Sequence, residues 1–327
     1  MKKSIAVIGS GFVGGSLITV FAERGFDVFA YDKAGTYAPG ARPLEYDLEH
    51  EVSEPTRVVK LREVSIANLV KLSEQRDGFT KIYFVCVPTP MNPDGSCNTT
   101  IVEAVLSELA SVAGERIAVV KSTIPPGSTE TWNKRFEGTG LKIVFCPEFL
   151  RESSALEDTR NPSRIVMGGP RPWINRVKNL FQSAFPTTPV IKTSSTNAEL
   201  TKYVTNCFLA MKISFANEIF QLCEALDEKG LNADYDRVIE CATLDERLGK
   251  SHWRVPSFES DEKTGEPLYG FSLSCFPKDI NALLKKEEEL GVEPTMLRAT
   301  WQKNVEVRPQ QDWRLLIGRA VTREEKE

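Results

Sequence analysis

The chain has 327 residues, of which 41% are hydrophobic and 26% charged, and its net charge is −4. That length supports two domains with separate cores, and the composition is that of an ordinary globular protein. The weak negative charge gives no sign of a surface for nucleic acid or an anionic membrane, and no apolar run is long enough to span a bilayer. Seven cysteines lack paired spacings, and Cys86, Cys146 and Cys207 lie in apolar runs, which predicts reduced thiols in a cytoplasmic protein. With two histidines and no Cys-x-x-Cys pair there is no zinc-ligand pattern.

Met1-Lys2-Lys3 followed by an apolar run resembles a short signal peptide, but the glycines directly after it make the run a first strand, residues 5–9. Gly9-Ser10-Gly11-Phe12-Val13-Gly14 then opens a helix that runs to about Gly25. The first glycine permits a tight turn, the second lets backbone approach a pyrophosphate, and the third allows close helix–strand packing. The pyrophosphate would sit at the helix N-terminus. A second strand, residues 27–31, ends at Asp32, about 20 residues beyond the glycines, where a carboxylate can accept both ribose hydroxyls. A carboxylate there repels a 2′-phosphate, so NAD is favoured over NADP; Lys33 weighs the other way. Further strands are expected at residues 82–87, 117–121, 142–145, 164–167 and 189–192. Their near-continuous apolar character and alternation with helices predict an α/β, Rossmann-like, doubly wound parallel sheet over residues 1–195.

Residues 196–327 read as mainly α-helical. From 197 to 229 there is no proline or glycine and apolar residues recur at helical spacing, with a capping box at Thr196 and Glu199 and a stop at Gly230. This predicts one helix about 50 Å long, more than a single domain needs and suited to pairing with a second copy. Residues 251–267 read as a long polar loop, and residues 322–327 as a charged, frayed tail.

Several residues have a chemical and a plain reading side by side. Lys202 and Asn206 are one turn apart, which equally describes a solvated polar stripe. Thr123 follows a β-rich run at a strand's C-terminal end, where open α/β sheets bind ligands. Glu148 and Glu152 also read as helix-start carboxylates, and Asp279 as a first-turn carboxylate. Cys275 stands just before Pro277, where a helix is expected to begin. A thiol at that N-terminus favours the thiolate and can serve as a nucleophile, although a buried small residue is the plain alternative.

In order along the chain, Gly9–Gly14, Val87-Pro88-Thr89-Pro90, Ser122-Thr123-Ile124-Pro125-Pro126-Gly127 and Pro147-Glu148-Phe149-Leu150-Arg151-Glu152 are followed by Pro162-Ser163-Arg164. Glu199-Leu200-Thr201-Lys202-Tyr203-Val204-Thr205-Asn206, Asn217-Glu218, Arg247-Leu248-Gly249 and Cys275-Phe276-Pro277-Lys278-Asp279 complete the set. This ordered set, over roughly residues 1–290, resembles the UDP-glucose/GDP-mannose dehydrogenase family. The resemblance implies NAD as cofactor and a four-electron oxidation of a nucleotide sugar's C6 alcohol to the carboxylate, with UDP-glucose as the leading substrate. It implies that Cys275 forms the covalent intermediate, that Lys202 and Asn206 stabilise oxyanions, and that Thr123, Asp279 and Glu148 manage the hydrolytic water. Glu152, Ser122, Pro88 and Thr89 would line the cofactor cleft. Phe149, Leu150, Arg151, Arg247 and Phe271 join Glu148, Lys202 and Asn206 as substrate contacts, and the long helix would form a homodimer core.

Three departures stand against the family pattern. Ser272-Leu273 replaces two glycines that usually precede the nucleophile, adding side chains where backbone should approach the sugar. The stretch between Arg247 and Cys275 is longer than usual, with an acidic insert at residues 259–266. The stretch after Asp279 is too short for the further nucleotide-binding domain the family commonly carries. Two other expectations stay open: a different nucleotide sugar (such as a UDP-N-acetylhexosamine) or a smaller hydroxy substrate, and an NAD-binding dimer without turnover.

Overall fold

The computed structural model describes residues 3–33, 58–61, 65–75, 78–257, 260 and 264–323. The chain divides into two compact units, Met1–Thr89 with Thr99–Lys202, and Pro90–Asn98 with Tyr203–Glu327.

The first unit holds strands β1 (Ser4–Ile8), β2 (Asp27–Tyr31), β3 (Val58–Leu61), β4 (Phe79–Val85), β5 (Arg116–Val120), β6 (Leu141–Phe145), β7 (Ile165–Gly168) and β8 (Val190–Thr193). They form one sheet in the order β3-β2-β1-β4-β5-β6-β7-β8. Side chains alternate across it. Ile5 and Val7 of β1 enter one buried cluster with Val28, Phe84 and Val119, while Ala6 and Ile8 enter the opposite cluster with Phe29, Val85 and Val120. Both faces are therefore covered, which is why the strands read as unbroken apolar runs. The order reverses at β1, so the C-terminal ends of β1 and β4 border the crevice where such sheets take ligands.

Two features depart from the expected sheet. β3 was not among the expected strands. It has four residues, lies at the sheet edge and is specified by its pairing with β2. The β6–β7 pair, through Phe145 and Gly168, is antiparallel, whereas the other neighbouring pairs are parallel.

The long helix, α7 (Ser195–Asp227), has 33 residues and begins two residues earlier than expected. Ser194 caps it, its Oγ accepting from Asn197 N at 3.2 Å. Glu199 does not close a capping box with Thr196. Fully buried, it reaches the start of α4 (Ser128–Arg135) and accepts from Gly127 N at 2.6 Å and Thr129 N at 2.8 Å. Those N–H groups have no carbonyl partner inside α4, and a carboxylate at a helix N-terminus is favourable.

The second unit takes α7 from Tyr203 onward, then α8 (Tyr235–Ala242), α9 (Cys275–Glu289) and α10 (Thr295–Val307). Trp313 is buried against Trp301 of α10, with ring centroids 5.2 Å apart. The expected loop at 251–267 has no helix among its described residues, and Ser260 bridges to Pro267. Residue 258 of the loop, residues 259 and 261–263 of the acidic insert, and 324–327 of the tail lie outside the described residues.

Glu199→Ala leaves two buried donors unsatisfied, so it should destabilise the protein by roughly 1–3 kcal/mol. Urea unfolding measures this as a lower midpoint at unchanged slope. A loss below about 0.5 kcal/mol would show that the carboxylate is not holding α4.

Candidate active site

The candidate cofactor cleft begins where β1 turns into α1 (Phe12–Glu23). Gly9 has φ +89°, and a Cβ there would lie 2.6 Å from Cys86 O. A Cβ on Gly14 would lie 1.8 Å from Gly9 O, so the third glycine is required by helix–turn contact. Gly11 differs: nothing stands within 4 Å of where its Cβ would be, and its backbone is open to a ligand. The start of α1 supplies first-turn N–H groups and the positive end of the helix dipole. Asp32, just past β2, accepts from Ser10 N at 2.7 Å and Ser10 Oγ at 3.0 Å through Oδ2. The fingerprint turn thus holds the carboxylate that would take the ribose hydroxyls. An open glycine backbone, a helix start and a fixed carboxylate fit NAD.

The ends of β4 and β5 are tied together beside this turn. Ser122 Oγ donates to Val87 O at 2.6 Å, and Thr89 Oγ1 donates to Thr123 O at 2.8 Å. Thr89, Ser122 and Thr123 are buried there, next to Pro88. Glu152 starts a short turn, Glu152–Ser154, beyond β6.

Lys202 belongs to the same unit and is buried, so the solvated-stripe reading does not hold for it. Its Nζ donates to Glu148 O at 2.8 Å and lies 3.4 Å from Glu148 Oε1. Glu148 Oε2 is buried with no hydrogen-bond partner among the described residues. Burying an unpaired carboxylate oxygen is costly, so this atom has the capacity to accept from a further donor. Phe149 has Arg164 Cζ 4.0 Å and Lys202 Nζ 5.8 Å from its ring centroid. Leu150 is half-buried, whereas Arg151 is exposed and paired with Asp158 at 2.7 Å. The Arg151 pair holds the Asp158 carboxyl down at about 2. Lys121 was missed by sequence reasoning. Its buried ammonium donates to Pro147 O at 3.1 Å and anchors this segment; a lysine closing an apolar strand was the available signal.

In the second unit, Cys275 is the first residue of α9 and is exposed, so the buried-residue reading fails. Helix α9 starts two residues earlier than expected, and Pro277 is accommodated in its first turn, where its missing N–H costs nothing. Asp279 is 1% exposed. Asn206 Nδ2 donates to its Oδ2 at 2.6 Å, and Lys278 Nζ pairs with Oδ1 at 2.5 Å. Burial opposes the Lys278 ammonium, but Asp279 and the nearby thiols of Cys275 and Cys97 outweigh it and hold the amine above the usual lysine range. Lys278 stood in the recognised motif without an assigned role; adjacency to Asp279 was the signal. The structure thus gathers Asn206, Lys278 and Asp279 at the start of the helix that begins with Cys275.

Arg247 is not gathered with them: it is exposed and paired with Asp245 of its own turn. Phe271 is buried, its ring against Phe276 and Trp301. Ser272 does not project outward, since its Oγ donates to Asp312 Oδ1 at 2.8 Å. Leu273 is exposed, with φ +61°.

Gly14→Ala forces a methyl group into Gly9 O, so it should cost about 1–3 kcal/mol of stability and weaken NADH binding at least about tenfold. Fluorescence titration with NADH checks this; unchanged affinity would contradict the assigned cleft.

Residues 3–184 match the NAD binding domain of the UDP-glucose/GDP-mannose dehydrogenase family, and residues 196–306 match its central domain. The chain is 33% identical over 320 residues to UDP-glucose 6-dehydrogenase TuaD of Bacillus subtilis, covering 92% of this chain and 63% of that protein. It is 30% identical over 327 residues to UDP-glucose 6-dehydrogenase AglM of Haloferax volcanii, covering 92% and 69% respectively. The solved structure of a UDP-glucose dehydrogenase from Pyrobaculum islandicum superposes with a TM-score of 0.69 at 31% identity, covering 94% of this chain and 68% of that one. The chain therefore spans about two thirds of the length of these relatives. No helix among the described residues is long and apolar enough to cross a membrane. With both domains matched in order, the chain belongs to the UDP-glucose/GDP-mannose dehydrogenase family and carries its NAD-binding domain.

Proposed function

We propose that the protein oxidises the C6 alcohol of UDP-glucose to the carboxylate of UDP-glucuronate, with Cys275 as the covalent nucleophile. The observation that carries this reading is the exposed thiol at the first position of α9, with Asp279, Lys278 and Asn206 bonded together at that helix start. NAD, when bound, accepts one hydride from C6 in each of two oxidations. The alcohol loses a hydride and a proton to give the aldehyde. Cys275 Sγ adds to C6, and the resulting thiohemiacetal loses a second hydride and proton to give a thioester. Water then cleaves the C–S bond, returning the thiol and releasing the carboxylate. The sum is one alcohol, two NAD and one water giving one carboxylate, two NADH and three protons.

In this reading Asn206 and Lys202 stabilise oxygen as it gains charge at C6. Glu148 Oε2, without a hydrogen-bond partner among the described residues, accepts a proton from the hydrolytic water. Thr123 and Asp279 order that water. Arg247 contacts substrate, and its exposed position suits service to a neighbouring subunit. A second nucleotide sugar is the alternative substrate, favoured by the exposed Leu273 two residues before the thiol. The seven cysteines without paired spacings support a reducing, cytoplasmic setting.

A homodimer through α7 belongs to the same proposal. Leu200, Val204, Phe208, Phe215 and Leu222 are exposed along this helix at steps of four and seven residues, a stripe suited to a second α7. Phe208→Glu should convert a dimer into a monomer by light scattering; a wild-type monomer would contradict the proposal.

Incubation with UDP-glucose, GDP-mannose or UDP-N-acetylhexosamines and NAD, read by NADH absorbance and product mass, identifies the substrate. The expected result is two NADH per UDP-glucose, with turnover lost in Cys275→Ser while NADH still binds. One NADH per sugar would contradict the thioester route.

A further inference from the structure

Residues 270–274 lead into the proposed nucleophile and are held from behind by α10 and the segment that follows it. Asn304, fully buried, accepts from Phe271 N at 2.7 Å and donates Nδ2 to Phe271 O at 3.0 Å. A Cβ at Gly270 would lie 2.4 Å from Asn304 Oδ1, so only glycine lets this clamp close. Ser272 Oγ donates to Asp312 Oδ1 at 2.8 Å. Arg308, 1% exposed, donates Nε to the same oxygen and Nη2 to Oδ2, each at 2.8 Å, and Nη1 to Tyr269 O at 3.1 Å. Burial pushes the Asp312 carboxyl up, but the bonds from Arg308 and Ser272 outweigh it and keep it below the usual range. The acceptor for Ser272 is therefore a fixed, charged oxygen and not a mobile surface group.

Between Ser272 and Cys275 stands Leu273 at φ +61°, a left-handed conformation that a γ-branched residue adopts against steric cost. Such strain persists where surrounding contacts over-determine the backbone, and it concentrates at functional sites. The Asn304 clamp fixes the chain on one side of Leu273 and α9 fixes it on the other. Ser272 supplies the side-chain tie adjoining the strained residue.

We propose that Asp312, acting through Ser272, holds Leu273 in its left-handed conformation and thereby sets the position of Cys275 at the start of α9. Ser272 and Asp312 are positioning residues for the thiol. This rests on Cys275 being the nucleophile of the proposed reaction.

Alkylation by iodoacetamide, resolved by peptide mass spectrometry, tests the proposal without a substrate; exposed Cys241 serves as the internal reference. Ser272→Ala leaves the Arg308–Asp312 pair intact and should fold with an unchanged thermal midpoint. It should slow Cys275 alkylation relative to Cys241 by about fivefold. With UDP-glucose it should lower kcat about tenfold while the KM for NAD stays constant. Ser272→Thr, which keeps the hydroxyl, should restore the alkylation rate. In a Leu273→Gly background there is no strain to hold, and Ser272→Ala should then change alkylation by less than about twofold. Unchanged alkylation in Ser272→Ala, or equal slowing in both backgrounds, overturns the positioning role. Full NADH production by Cys275→Ser would instead overturn the covalent reading, and the two failures are separable.

Discussion

A buried carboxylate organises the second unit of this protein. Asp279 is almost without solvent contact, and an ionised carboxylate in that setting is tolerable only if paired and hydrogen-bonded. Lys278 takes one of its oxygens and Asn206 the other. The Asn206 bond pins the start of α9 to α7, while the Lys278 pair within α9 neutralises the carboxylate. Cys275 occupies the first position of that helix and inherits its location from the pinning. Removing Lys278 would leave a buried charge uncompensated, and removing Asn206 would leave one of its oxygens without a donor. The arrangement therefore couples the fold of the helical unit to the place where the thiol is presented.

The first unit meets its own constraint at the strand ends. Its apolar residues alternate to fill both faces of the sheet, and the polar residues accumulate where the strands stop. There the bonds from Ser122 to Val87, Thr89 to Thr123 and Lys121 to Pro147 satisfy loop backbone that would otherwise be buried unpaired. Glu148 is an exception that points to chemistry: Lys202 holds one oxygen and the backbone carbonyl, while the other oxygen is left unbonded among the described residues. Glu199, by contrast, is a buried carboxylate with a complete structural account at the start of α4.

Much of this was legible in the sequence because the signals were local. Unbroken apolar runs marked seven strands, the glycine spacing marked the cofactor turn, and the absence of proline and glycine marked α7 at its full length. What was not legible depends on distant pairing. β3 is a strand because β2 lies beside it. Glu199 looked like half of a capping box because its use, 70 residues away at Thr129, leaves no mark on neighbouring positions. Ser272 looked like an intruding side chain because its partner Asp312 lies 40 residues further on. Spacing also could not separate a polar stripe from a buried site at Lys202 and Asn206; burial of both decides that question.

The proposed oxidation passes through a covalent intermediate on Cys275, cleared by water activated at Glu148. Acid quenching of Glu148→Gln after incubation with NAD and the nucleotide sugar that reduces it, followed by peptide mass spectrometry, tests this most directly. The peptide bearing Cys275 should then carry the mass of the sugar nucleotide at the acid level of oxidation. NADH accumulating while that peptide remains unmodified would contradict it.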